Sequence, residues 1–437
     1  MTVRAIIAAF ALSASTSATV DRPDASSIPH ITVIANGQRD WTARYRFDRP
    51  VRRLVFVRAP DDSRTRTWTA MTGFQIIVPK AGGEILRRID GKPFRSVDVS
   101  MPPRYIYLAA GYAPFSPFGD GSVLMHSGRL FACGNVCPAA DSTAWPIHLI
   151  VGDGRGIQLG DRSAARNLRW IDKDSGHNIY VGREKPAATG PVNAIIDHAF
   201  PGDLRRQLLV QLPEFMQYFS EQLGPLAARP TLFASYDAAH RDGGGRQGGT
   251  LPGQIFVHYY GARWATEFTK PDFASDQSWL FAHEAGHLFQ RQLGTEAPAG
   301  WWIHEGGGDA FAALALRRMG PEMSAYVDRR IDRAQLACAQ TTSDKSIHAA
   351  ITEREIDPAY QCGLLINLAL DAAIRRRAPE KDGLFSVWLA YLAREKRGAT
   401  TDEAGFLACV ATIGGQELAD QLTQLLDTPS PRIALLR

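Results

Sequence analysis

The sequence predicts a multidomain α+β protein: an N-terminal antiparallel β domain, a mixed α/β segment, and a C-terminal helical domain. Three observations predict it. Between residues 30 and 195 short apolar runs recur, separated by Gly, Pro and Asp clusters, the spacing of short strands in a sandwich-like module. From 196 the apolar period lengthens to that of a helix, with two strand candidates interposed. Beyond Gly320-Pro321 the patterns are helical throughout. At 437 residues the chain is also too long for one ordinary domain.

The opening segment, "MTVRAIIAAFALSASTSATV", has Arg4 before a short apolar run and then small residues up to Ala18. This is the layout of a signal peptide over 1–20. The run is too short to serve as a stable membrane anchor. Export to the periplasm or medium, without stable membrane insertion, is therefore expected. The β domain, 25–195, begins with "ITVIA" and "WTARYRF" flanking Asn36-Gly37 as consecutive strands. "RRLVFVRA", "GFQIIV", "YIYLA", "SVLMHSGRLFAC" and "PIHLIVGD" follow as further strands.

In the middle segment, 196–320, Leu204, Leu208, Leu212, Phe215, Phe219 and Leu223 fall on a helical period. Asp203 is placed as its N-cap and Gly224-Pro225 as its stop. The strand candidates "TLFASY" and "QIFVHYYG" are joined by "RDGGGRQGG", read as a loop. A second helix, "SWLFAHEAGHLFQRQL", can be capped by Ser275 or Asp276. In 321–437 the helices include "CGLLINLALDAAIRRR", "GLFSVWLAYLAREK" and "DEAGFLACVATI", and Thr400 with Glu403 forms a candidate capping box.

Composition narrows the function. Apolar residues make up 45% and charged residues 22%, which argues against long disorder. The formal charge is only +4, and the densest basic cluster, "IRRRA", reads as a solvated helix end, so no nucleic-acid partner is expected. Of the five cysteines, Cys133–Cys137 and Cys338–Cys362 are candidate disulfides in an oxidising compartment, and Cys409 reads as a buried free thiol.

The chemistry is concentrated in "FAHEAGHLFQRQLGTEAPAGWWIHEGGGDAFA", residues 281–312. His283 and His287 lie one helical turn apart, so both imidazoles project from one face and can reach one zinc ion. Glu284 is rotated from them but stays close enough to accept a proton from an activated water. On the following segment Glu305 and Asp309 are again one turn apart. Glu305 can complete the protein ligands of the metal, and Asp309 can accept the second N–H of a ligand histidine. Gly306–Gly308 leave two readings open: a helix approached closely by a neighbour, or a loop. His258 and His304 are read as structural or pocket-lining groups rather than ligands.

The pattern "HEAGH…WWIHEGGGDA" resembles the gluzincin metallopeptidases, and within them the aminopeptidase N and leukotriene A hydrolase group and the glycyl aminopeptidases. Trp302, Glu305 and Gly306 fit the "W-x-x-E-G" motif that carries the third ligand in that group. The spacing of Glu305 and Asp309 is similar to that of thermolysin. Tyr360 and Gly363 fit a "Y-x-x-G" motif whose tyrosine stabilises the oxyanion. The resemblance thus implies a thermolysin-like zinc catalytic domain over 196–320, one Zn2+ on His283, His287 and Glu305, Glu284 as general base, and Tyr360 on the carbonyl oxygen. It implies a peptide or protein substrate, exo or endo undecided. The match departs upstream. Where the aminopeptidases carry "G-x-M-E-N", with a glutamate for the substrate's free amine, this chain has "DGGGRQGGTLPGQ", with Asp242 its only acid. No substrate-binding residue is assigned. A catalytically silent peptide-binding protein, and a zinc hydrolase acting on a non-peptide bond, stand as alternatives.

Overall fold

The computed structural model describes residues 27–37, 39–59, 61–108, 111–138, 143–241, 243–291, 298–353 and 357–429. The expected signal peptide and Asp242 lie outside these residues. The chain is a multidomain α+β protein with a β-rich N-terminal region and a helical C-terminal region.

Three sheets make up the N-terminal region. The largest orders its strands Asn167–Asp172, Trp145–Val151, His30–Ala35, Trp41–Val51, Phe94–Met101 and Thr69–Ala70. Alternation builds it: Trp41, Ala43, Tyr45 and Phe47 are buried, while Arg44 and Arg46 between them face out. The two strands expected on either side of Asn36-Gly37 form, and they pair antiparallel. The region is not purely antiparallel, because His30–Ala35 pairs in parallel with Trp145–Val151, a pairing that the long intervening chain makes geometrically open. "SVLMHSGRLFAC" is also not one strand. A turn at Ser127–Leu130 divides it, sending Val123–His126 and Ala132–Gly134 to different sheets.

A fourth sheet supports the candidate site. Its order is Ala187–Thr189, Val192–Ile196, Thr231–Asp237, Gln254–Tyr260 and Gly245–Leu251. The three central strands are parallel and the outer two antiparallel to them. Both faces are covered, which is why Thr231–Asp237 reads as a nearly continuous apolar run. Leu232, Ala234, Ile255 and Val257 face the helices, while Phe233 and Phe256 meet Leu124 and Tyr180 of the N-terminal region. The glycine-rich run expected as a loop is the terminal strand of this sheet. Its glycines fit it there: a Cβ on Gly245 would stand 2.5 Å from the Tyr260 hydroxyl, and one on Gly249 the same distance from that of Tyr112.

Among the described residues the α-helices of six residues or more are α1 (Gly202–Leu223), α2 (Phe273–Gln290), α3 (Trp301–Leu316), α4 (Pro321–Thr341), α5 (Ile347–Thr352), α6 (Asp357–Arg377), α7 (Leu384–Lys396), α8 (Glu403–Gly414) and α9 (Gln416–Asp427). Several starts differ from expectation by a residue or more. Asp203 lies in the first turn of α1, paired with Arg206, and Ser275 and Asp276 lie inside the first turn of α2. Asp402, not Thr400, caps α8, accepting from the Gly405 N–H and freeing Glu403 for other contacts. No helix among the described residues is long and apolar enough to cross a membrane. The disulfides Cys133–Cys137 and Cys338–Cys362 both form, and Cys409 is buried and free.

Candidate metal centre and cleft

Helix α2 is buried along most of its length, because it lies between the mixed sheet, α1 and α3. That burial forces its polar residues to find partners within the protein. His283 and His287, 5% and 7% exposed, project from one face, and their Nε2 atoms stand 2.8 Å apart. Helix α3 brings Glu305 to both: its Oε2 is 3.4 Å from His283 Nε2 and 3.3 Å from His287 Nε2. Among the described residues this is the one group of three or more His, Cys, Asp or Glu side chains whose ligand atoms converge in this way. A tetrahedral zinc with bonds of about 2.0–2.1 Å sets its ligand atoms about 3.3 Å apart. The two Glu305 separations match that edge, and the imidazole pair, at 2.8 Å, stands about 0.5 Å inside it. The donor set, two neutral imidazoles and a carboxylate, also fits zinc.

The outer face of each imidazole is held. His283 Nδ1 is 2.9 Å from Asp309 Oδ1, which also accepts from Trp279 Nε1 at 2.7 Å. His287 Nδ1 is 2.7 Å from Gln290 Oε1, an acceptor, so that ring carries its proton on Nδ1 and turns the Nε2 lone pair inward. Burial disfavours the His283 cation, but hydrogen bonds to Asp309 and Glu305 outweigh it and hold its pKa well above the ordinary value. Burial likewise opposes ionisation of Glu305, yet its bonds to the two histidines hold the carboxyl well below the usual range. The field that keeps a proton on this cluster is one that favours a cation.

Gly306–Gly308 are helical, in α3, and each has its own neighbour. A Cβ on Gly306 would lie 2.4 Å from the backbone of Gly363, and one on Gly363 would lie 2.8 Å from Gly306 Cα. Helices α3 and α6 therefore touch backbone to backbone, which brings Tyr360 to the cluster. On Gly307 a Cβ would meet Gln290 Nε2 at 2.6 Å, and on Gly308 the His283 and His287 rings at 3.0 Å. The close-approach reading holds, and the loop reading does not.

Two flanking groups complete the arrangement. Glu284, 9% exposed, accepts from Thr250 Oγ1 at 2.7 Å, across from the terminal strand Gly245–Leu251. The Tyr360 ring stacks on His283 at 5.8 Å. Burial, reinforced by the Glu305 charge and a hydrogen bond to it, keeps the phenol protonated and hence a donor. His304 stacks on the His287 ring at 4.2 Å. His258 is distant in role: it is fully buried, 2.8 Å from Ser235 Oγ, and pushed down to about 3 by burial. The structure thus brings together His283, Glu284, His287, Glu305, Asp309 and Tyr360. The sequence reading missed Thr250, Gln290 and Trp279. Gln290 and Trp279 had local signals, lying three residues beyond His287 and four before His283 on the same helix, whereas Thr250 had none.

No protein-family model matches the chain, and no curated protein matches it in sequence. Solved structures do match in fold. An aminopeptidase N family protein from Idiomarina loihiensis superposes with a TM-score of 0.65 at 12% identity, over 91% of this chain and 76% of that one. An M1 zinc metallopeptidase from Deinococcus radiodurans gives 0.51 at 14% identity, over 92% and 94%. A mutant of a two-domain M1 zinc metallopeptidase bound to L-arginine gives 0.54 at 13% identity, over 94% and 96%. At such identities the likeness is one of fold, and in fold this chain resembles the gluzincin aminopeptidases across nearly its whole length.

Proposed function

We propose that the chain is an exported zinc-dependent metallopeptidase with a thermolysin-like catalytic domain around the mixed sheet and helices α1–α3. The observation that carries the reading is the convergence of His283, His287 and Glu305 to within 3.4 Å, with Glu284 and Tyr360 on either side. Zinc bound there supplies a Lewis acid that polarises the scissile carbonyl and brings the pKa of water toward 7. Glu284, its second oxygen steadied by Thr250, takes the proton from the attacking water and passes it to the departing nitrogen. Tyr360, protonated, donates to the carbonyl oxygen as negative charge grows on it. Asp309 and Gln290 keep the two imidazoles turned so that Nε2 faces the reacting site. The two disulfides support export to an oxidising compartment.

Metal analysis joined to a peptide-library assay tests this. Purified protein is expected to hold one zinc per chain, and Glu284→Gln to keep the zinc while losing about 10²–10⁴-fold in kcat. Cleavage that survives Glu284→Gln removes the base assignment. A chain that neither retains nor takes up zinc removes the whole reading. Products from peptides with blocked N-termini assign endopeptidase over exopeptidase cleavage.

A further inference from the structure

A cavity of 710 Å³ opens from His283 and Glu284 and runs along the N-terminal half of α2. Its floor is a helical stripe, Gln277, Leu280 and Glu284, spaced at three and four residues and so on one face. One wall holds Arg246 of the terminal strand Gly245–Leu251, which pairs on one side only among the described residues. Strand and helix lie side by side: Thr250 meets Glu284 at one end, and Arg246 meets the Tyr259 hydroxyl beside Gln277 at the other. Gln277 is seven residues from Glu284, about 10 Å along the helix axis, the span of about three extended residues.

The far end of this cavity is rich in donors and short of acceptors. Arg246, Arg330 and Arg333 line it. The two acids there are engaged: Asp276 accepts from Tyr326 and lies 3.6 Å from Arg330, and Glu267 pairs with Lys270 at 2.8 Å. Among the described residues no carboxylate pairs with Arg246 or Arg333. The Arg333 Nε instead donates to the Arg329 carbonyl. Gln277, 1% exposed, accepts through Oε1 from the Tyr259 hydroxyl, whose oxygen also takes a hydrogen bond from Arg246, and its buried Nε2 has no partner. An N–H left without an acceptor at 1% exposure is a destabilised donor that a ligand's oxygen can satisfy. A free ammonium would meet three guanidinium groups here and two carboxylates already engaged by other partners.

Resting on the hydrolase reading above, we infer that this end of the cleft binds a carboxylate of the substrate, about three residues from the scissile bond, on Arg246, Gln277 and Arg333. The cleft so selects peptides by an anionic group rather than by a free amine. The carboxylate comes either from the C-terminus of a short peptide or from an acidic side chain.

Binding is measured with the zinc-loaded Glu284→Gln protein, against tetraalanine as its free acid, as its C-terminal amide, and as the amide with the last residue replaced by Glu. The free acid is expected to bind at least about tenfold more tightly than the plain amide. If the Glu-containing amide matches the free acid, an acidic side chain serves. If it stays as weak as the plain amide, the C-terminal carboxylate is the ligand. Arg246→Gln and Arg333→Gln, both at sites where the native side chain has no ionic partner, are each expected to collapse the acid-to-amide ratio toward one. Equal binding of all three probes by the parent, or a ratio unchanged in both arginine variants, overturns the inference. Because binding is read apart from cleavage, a wild-type chain that cuts no peptide yet keeps the discrimination overturns only the hydrolase reading.

Discussion

Thr250 holds one end of the candidate base, and it does so with a single proton. Its hydroxyl lies 2.8 Å from the Glu284 carbonyl and 2.7 Å from Glu284 Oε2, so one O–H serves two acceptors on the same residue. This ties the side chain of Glu284 to the terminal strand and leaves its other oxygen outside that bond. Thr250→Val keeps the shape and removes the donor. A hydrogen bond to a charged group is worth about 1.5–3 kcal/mol, so kcat/KM on a cleaved peptide is expected to fall by about tenfold or more. Thr250→Ser should recover most of it, with zinc content unchanged in both. A valine variant as active as wild type would show the contact to be idle. Residues at this scale were legible where partners share a helix. His283, His287, Glu305 and Asp309 announce themselves by one-turn spacing. Thr250 does not, because its bond to Glu284 joins a strand and a helix 34 residues apart.

Elements meet at the site through small residues, and this is where the sequence misled about the strand and left α3 open. Glycines in "GGG" look like breakers when helix propensity alone is weighed. In α3 they are required because Gly306 touches Gly363 and Gly308 lies under both histidine rings. In the terminal strand, glycines at Gly245 and Gly249 yield to Tyr260 and Tyr112, contacts that no local pattern shows. The N-terminal end of α3 is held by charge. Trp302 Nε1 donates to Glu403 of α8 at 2.6 Å, and His348 of α5 bridges Glu403 and Asp427 of α9, each at 2.8 Å. The hydrogen bond to Glu403 is the largest cause that raises His348 to about 9, with that to Asp427 also contributing against burial. The folded-state pKa lies above the unfolded value near 6.5, so the stabilisation is fully present below pH 6.5 and is lost as pH rises toward 9. Its size is on the order of 2 kcal/mol, given that Asp427 is well exposed. Urea midpoints measured from pH 6 to 9.5 should fall for wild type, and the fall should shrink in His348→Gln. Parallel slopes for the two proteins would remove the assignment.

The whole molecule was legible as a sequence of composition zones: β-rich first, mixed in the middle, helical last. What was not legible is how distant segments close the site, because it depends on contacts between zones rather than on any local period. Tyr360 illustrates this. It lies at the entry to α6, 55 residues beyond Glu305 in the chain, yet its ring stacks on His283. Two constraints hold that entry: the Gly306–Gly363 backbone contact, and the Cys338–Cys362 disulfide that ties α4 to α6 two residues after Tyr360. The disulfide closes a loop with a sequence separation of 24, for which chain-entropy reasoning gives about 3 kcal/mol. Cys133–Cys137, with a separation of 4, is worth about 2 kcal/mol by the same reasoning and lies in the β-rich region. The double variant Cys338→Ala/Cys362→Ala is therefore expected to lose about 3 kcal/mol in urea unfolding and also to lower kcat several-fold, since Tyr360 loses one of its two anchors. Cys133→Ala/Cys137→Ala should lose a little less stability and leave kcat within about twofold. If both pairs change kcat alike at equal folded fraction, the α4–α6 bridge is a staple for the fold and not a support for Tyr360.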